Sequence, residues 1–188
     1  KTQGTLFFDV CRIIKIKRPK AFFLENVKNL IAHDHGKTFS IITDALNELG
    51  YVWTWHIVNG SKWVPQHRER IFMVGYDPNQ IPNIQKDDII IPLEPNNDYH
   101  VPQLRDIINP ALEDDTYTLG QGTWSTLQRH KAHHEQAGNG FGYGLHKLPI
   151  PLNAVTRTIS ARYHKDGAEV LIAQTGKNPR RLTIEEAM

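Results

Sequence analysis

The stretch "AFFLENVKNL" (residues 21–30) decides how the chain is read, because Phe22, Phe23 and Leu24 are followed at once by Glu25 and Asn26. A short, continuous apolar run of this kind is found in buried strands of parallel sheets. The carboxylate and amide at its end admit two readings. Either they cap a strand-to-helix turn, or they are reacting groups at the mouth of a sheet, where open α/β sheets bind their ligands.

The flanking segments place that strand in an α/β domain. Phe7, Val10, Cys11 and Ile14 share helical spacing within residues 6–17, and Pro19 forces the helix to stop. Phe39, Ile42, Ala45, Leu46 and Leu49 make a second helical stripe over residues 38–49, with Gly50 as its stop. Residues 51–58 and 70–76 have strand character. This order predicts a mostly parallel sheet with right-handed crossovers, in which the last pair is free to run antiparallel.

The texture changes after Asp77. Residues 77–103 carry five prolines and several turn residues, as a connector does. Expected boundaries are a first domain over 1–77, a connector over 78–100, a second domain over 101–179 and a return segment over 180–188. Within the second domain we expect a short helix or turn in "QLRDIINP", a helix over 124–136 closed by Gly138, and a glycine-rich loop or hairpin at 138–144. Two strand-like runs in "TRTISARYHKDGAEVLI" (156–172) are joined by the turn signal Lys165-Asp166-Gly167. Thr183 and Glu186 have capping-box spacing and open a helix. The chain stops two residues later, and on that ground we expect it to be a fragment.

Composition narrows the class. No apolar run approaches the roughly 20 residues of a membrane helix, and residues 1–8 lack the layout of a signal peptide. A lone cysteine excludes an internal disulfide and fits a reducing cytoplasm; Cys11 reads as a core-facing thiol. The net charge of +2 hides an asymmetry: residues 1–119 balance to −2, and residues 120–182 to +6 with five histidines besides. A basic segment on a neutral one points to a polyanionic partner.

In "VPQHRERIFMV" (64–74), an extended chain puts Gln66, Arg68 and Arg70 on one face and His67 and Glu69 on the other. Arginines entering an apolar strand need acceptors, and Glu69 is an obvious one. Glu25, among Phe23, Leu24 and Val27, is expected to be partly desolvated, and a carboxyl that keeps its proton can donate to a ring nitrogen. A Glu and an Arg on neighbouring strand ends suit the edge of a pyrimidine. His33 and His35, or His130, His133 and His134, have no cysteine beside them and no HExxH arrangement, so helix polarity explains them better than zinc, and we expect no metal.

These segments, in this order, resemble the DNA (cytosine-5)-methyltransferases of bacterial restriction-modification systems. The residues that carry the resemblance are "GTLFFDVCRIIKIKRPKAFFLENVKNL", "HDHGKTFSIITDALNELGY", "VPQHRERIFMVGY", "GNGFGYG", "TRTISARYHKDGAEVLI" and "PRRLTIEEAM". The second half is most similar to enzymes reading sites such as CCWGG or CCNGG. The resemblance implies an α/β fold, part of a doubly wound Rossmann-like methyltransferase domain, with a small β-rich target-recognition lobe. It implies a monomer that flips a cytosine out of double-stranded DNA and methylates C5 from S-adenosylmethionine, after a cysteine thiolate adds to C6.

Residue by residue, Glu25 matches the Glu of the family's ENV and would meet N3. Arg70 matches the last Arg of QxRxR and would hold O2. Asn26 and Arg68 match supporting positions, and Leu6 matches one contact on the adenine side of the cofactor pocket. Two loops match the major-groove readers: 138–144, with Asn139 and Tyr143, and 156–165, with Arg157, Thr158, Arg162 and Lys165. Arginine is the natural reader of guanine O6 and N7, and Thr158 suits a phosphate. The family's Pro-Cys nucleophile loop and Gly-rich cofactor loop have no counterpart here and would precede Lys1, so this chain alone is expected to be inactive. The rival reading is a sequence-specific DNA-binding module without catalysis.

Overall fold

The computed structural model describes residues 6–112, 115–139 and 142–188. They divide into two compact units. One comprises the described residues up to Asn59 together with Glu69–Pro95; the other comprises Gly60–Arg68 and the described residues from Asn96 to Met188.

The first unit contains α1 (Leu6–Lys17), β1 (Ala21–Val27), α2 (Lys37–Glu48), β2 (Val52–Asn59) and β3 (Glu69–Tyr76). The strand order is β1-β3-β2, and both pairings are antiparallel. The expected mostly parallel arrangement is therefore corrected for these strands. The cause is the link between β2 and β3: residues 60–68 contain no crossover helix, and a connection that short returns the chain antiparallel. Once β3 inserts beside β1, that pair is antiparallel too.

β1 also runs three residues beyond Leu24, so Glu25 and Asn26 lie within the strand, opposite Phe72 and Ile71. Alternation then sorts the sheet. Phe22, Ile71 and Met73 join Ile14 of α1 and Ile42 and Leu46 of α2 in the buried core. Phe23, on the other face, is 64% exposed and rests its ring on Phe72 at 5.3 Å, so β1 is not buried on both faces among the described residues. Gly75 faces Phe22 across the ladder, and a Cβ there would stand 2.4 Å from the Phe22 ring. The residue must be glycine for the phenyl group to lie flat on the strand.

Arg18, at a φ of +43°, ties the helix ends to the sheet. Its guanidinium forks onto buried Asp77 and donates to Leu49 O at 2.6 Å. Asp77 also accepts from Gln80 Nε2 at 3.0 Å and from Asn79 N at 3.1 Å. Hydrogen bonds from Gln80 and Arg18 hold the Asp77 carboxyl down at about 2. Cys11 packs against the core as expected, and burial pushes its thiol up.

The second unit contains α3 (Leu104–Ile107), α4 (Gln121–Gln136), β4 (Leu145–His146), β5 (Leu171–Gln174), β6 (Lys177–Arg180) and α5 (Ile184–Ala187). Its core gathers Leu104, Ile108, Ile150, Tyr163, Val170, Ile172 and Leu182. The hairpin expected around Lys165-Asp166-Gly167 is not formed. Residues 156–158 pair instead with 65–67 (His67 N to Thr156 O 2.8 Å, Thr156 N to Pro65 O 2.8 Å), and the hairpin is β5–β6, turning at Gly176. Gly167 is a packing glycine, since a Cβ there would stand 2.4 Å from Tyr163 Cα. Burial lifts the Tyr163 hydroxyl to about 12; it donates to Val170 O at 2.6 Å and accepts from Leu182 N at 2.8 Å.

The capping box at Thr183 and Glu186 forms as its spacing predicts (Glu186 N to Thr183 Oγ1 3.1 Å, Thr183 N to Glu186 Oε2 3.0 Å). Glu186 has a second role that spacing does not announce. It takes a two-pronged ion pair from Arg180 (2.6 and 2.8 Å) with side-chain exposures of 2% for Arg180 and 4% for Glu186. Asn109 closes the network: its N–H donates to Glu186 Oε1 at 2.8 Å, and its carbonyl accepts from Arg180 Nη2 at 3.0 Å. Among the described residues no helix is long and apolar enough to cross a membrane.

Candidate functional site

Antiparallel pairing puts the carboxyl end of β1 beside the amino end of β3. Glu25 faces Phe72 and Val27 faces Arg70, so Glu25 and Arg70 are diagonal neighbours on one face of the ladder. Arg70 Nε donates to Glu25 Oε1 at 2.8 Å, and Arg70 Nη1 donates to Glu69 O at 2.8 Å. Arg70 is 16% exposed and Glu25 41%. Glu25 is thus exposed rather than enclosed by the apolar neighbours expected to cover it, of which Phe23 is itself 64% exposed. Both oxygens of Glu69 accept from Lys28 Nζ, at 2.9 and 3.0 Å.

Asn26 Oδ1 accepts from Val27 N at 2.8 Å. Glu25, Asn26 and Leu6 line one cavity of about 440 Å³, whose other walls include Phe7, Phe8, Leu24 and Met73. Mostly apolar walls with a few polar groups are the usual make-up of a small-molecule site. Arg68 belongs to the second unit, where its carbonyl accepts from Gly60 N at 2.9 Å.

In the second unit α4 carries Trp124 and Lys131 against Tyr143, with ring centroids 4.8 Å apart and Lys131 Nζ 4.9 Å from the Tyr143 centroid. The glycines beside Tyr143 fit this packing. A Cβ on Gly142 would crowd Lys131 Cγ at 3.2 Å, and one on Gly144 would sit 1.9 Å from Glu169 O. Of the expected loop 138–144, Gly140 and Phe141 lie outside the described residues. Gly138 closes α4 at a φ of +70°, and Asn139 N donates to His134 O at 2.8 Å.

Tyr143, Arg157 and Arg162 line a second cavity of about 420 Å³; Lys165 is exposed nearby in sequence. Arg157 Nη1 donates to Gly142 O, and Arg162 forks onto Asp166. Thr158 Oγ1 donates to His67 O at 2.7 Å, which commits its proton to the main chain. Sequence reasoning missed Trp124, Lys131 and Glu169. The helical spacing of Trp124 and Lys131 was available as a signal, but the acidic residue two places after Gly167 carried none.

A family model described as C-5 cytosine-specific DNA methylase matches residues 1–188. The type II methyltransferase M.SsoII of Shigella sonnei is 46% identical over 187 residues, covering 99% of this chain and 47% of that protein. The type II methyltransferase M1.ScrFI of Lactococcus lactis subsp. cremoris is 44% identical, with coverages of 99% and 46%. The chain thus spans about half the length of the curated relatives it matches. Among solved structures, the S. pombe Dnmt2 methyltransferase superposes with a TM-score of 0.63 at 13% identity, covering 96% of this chain and 57% of that one, a likeness of fold.

Proposed function

This chain belongs to the C-5 cytosine-specific DNA methylase family, and from that premise we propose that the whole protein transfers a methyl group to C5 of a cytosine turned out of duplex DNA. The observation that carries the proposal is the 2.8 Å pair between Glu25 and Arg70. A cytosine ring presents N3 and O2 side by side, and attack at C6 drives electron density onto both atoms. Glu25 shares a proton with N3, and Arg70 donates to O2. Each interaction strengthens as charge develops, which is the requirement for lowering a barrier rather than merely binding. Extrusion of the base is necessary because its reacting atoms are shielded in the stack.

The residues of the 440 Å³ cavity fit S-adenosylmethionine: Leu6, Phe7 and Phe8 offer apolar surface to a flat heteroaromatic ring, and Glu25 and Asn26 supply polar groups at its edge. When bound, that cofactor supplies an electrophilic methyl group. Asn26 and Arg68 act as positioning residues. The attacking thiol is not Cys11, which packs into the core of the first unit and whose proton is held more tightly through burial. Residues 1–188 alone are accordingly inactive and bind the cofactor poorly; tight binding by calorimetry would count against this.

The second unit reads the DNA. Arg157 and Arg162 are its guanine readers, with Asn139, Tyr143 and Lys165 placing the backbone and neighbouring bases, while Thr158 holds its segment to His67 O. The Arg162–Asp166 pair is exposed on both sides, 74% and 58%, so exchanging it for a guanine edge costs little. Labelled-methyl transfer to DNA by the full-length protein tests the reading. Glu25→Ala and Arg70→Ala should each lose about a hundredfold or more in turnover. Wild-type turnover in both would refute the site, and DNA binding without any methyl transfer by the unaltered protein would favour a non-catalytic module.

A further inference from the structure

The wall of the 420 Å³ cavity in the second unit holds an acidic residue that no reading so far uses. Glu169 lines the cavity, and its Oε2 is enclosed without a hydrogen-bond partner among the described residues. Enclosed carboxylate oxygens are almost always paired, so an orphan of this kind calls for an explanation. The cationic side chains of the same wall do not supply one. Lys131 pairs with Glu135, Arg157 donates to Gly142 O, and Arg162 is forked onto Asp166.

The position of Glu169 is built rather than incidental. Its carbonyl occupies the space where Gly144 would carry a Cβ (1.9 Å), and its Oε2 occupies the space where Gly167 would carry one (2.5 Å). Two glycines thus make room for one acidic residue, on the main chain and on the carboxylate respectively. Leu171 N donates to Gly144 O at 2.7 Å and Gly144 N to Ala168 O at 2.9 Å, which fixes the segment on either side.

We propose that Glu169 is a specificity-determining residue whose unpaired carboxylate turns out of its enclosure to accept a hydrogen bond from N4 of a cytosine in the recognition site. The inference rests on the methyltransferase reading above. A carboxylate can only accept, and in the major groove guanine and thymine show acceptors alone. Adenine offers its N6 amino group with the N7 acceptor beside it, which repels a carboxylate; cytosine offers N4 without that neighbour. Arg157 and Arg162 on the same wall suit guanine O6 and N7, so the cavity presents the complements of both halves of a C·G pair.

The test uses the full-length protein on a library of duplexes randomised around a cytosine, with methylated positions read by sequencing after chemical conversion. The unaltered protein defines the site. Glu169→Met, which keeps the length but removes the acceptor oxygens, and Glu169→Ala should both relax one C·G position other than the methylated pair, by roughly 5- to 150-fold in preference. The remaining positions should stay as they were. Relaxation at an A·T position would overturn the assignment to cytosine. An unchanged preference at every position, or an even loss across all sequences with an unchanged melting temperature, would overturn the role in reading bases. If the alanine variant does not fold, the methionine variant decides alone. Failure of the unaltered protein to methylate any duplex would instead remove the methyltransferase reading, and this proposal with it.

Discussion

The buried pair of Arg180 and Glu186 makes the sharpest demand on the second unit. Changing Glu186 to glutamine leaves the guanidinium in place, 2% exposed, without its counter-charge. Removing one partner of a buried ion pair costs about 3–5 kcal/mol, because the other charge stays buried. Glutamine keeps one oxygen for the Asn109 or Thr183 amide, so we expect the lower end, about 3 kcal/mol. The two amides that donate to Glu186 report the loss directly. Hydrogen exchange at Asn109 N and Thr183 N should accelerate roughly a hundredfold, since each 1.4 kcal/mol of opening energy is about a factor of ten. The double change Arg180→Met with Glu186→Leu should recover most of the deficit, as paired replacement by apolar groups usually does. Acid should act in the same direction. Burial alone would raise the Glu186 carboxyl, but Arg180 and the Thr183 and Asn109 amides outweigh it and hold it below the usual range. A lowered carboxyl stabilises the fold at neutral pH, and that contribution fades as pH falls through the lowered value. If Glu186→Gln cost under about 1 kcal/mol and left both amides protected, the pair would not carry this weight.

Three further outcomes follow from the first unit. Gly75→Ala should destabilise it by about 1–3 kcal/mol in urea unfolding, because the new methyl overlaps the Phe22 ring; a neutral result would show that the ring can move aside. Asp77, with its carboxyl at about 2 against an ordinary 3.8, contributes stability that is complete above about pH 4 and lost as pH falls toward 2. Asp77→Asn should flatten the acid limb of a melting-temperature profile over that window, and an unchanged limb would refute the assignment. Cys11 should react with a thiol reagent more slowly at pH 7 than a free cysteine does, because burial raises its thiol; urea should abolish the difference.

Much of the first unit was legible from periodicity. The stripes that defined α1 and α2, and the apolar runs that defined β1 to β3, are local patterns with one stable reading each. The direction of the sheet was not legible in the same way, since residues 60–68 hold no α-helix and their length had to be weighed against the strand-helix-strand order before them. Glu25 and Arg70 were identifiable as a pair by resemblance, and the antiparallel register supplies the diagonal contact. The second unit was harder because its glycines do different jobs. Gly138 serves a helix end, whereas Gly144 and Gly167 make way for Glu169, a contact that no short-range pattern encodes. Glu186 shows the same limit: its i, i+3 relation to Thr183 is a motif, and its relation to Arg180 across the helix start is not.

The central place of β3 sets an order of events for the nascent chain. β1 and β2 flank it and make no ladder with each other, so neither gains its partner in this sheet until residues 69–76 have been made and have docked. Pairing β1 with β3 across 43 to 55 residues carries a loop-closure cost that local helices do not face, so this step is expected to be the slow one. The arginine that completes the Glu25 pair sits on the strand that completes the sheet. A chain stalled before β3 would hold two unzipped edges, open to pairing with other chains, and no trace of the site.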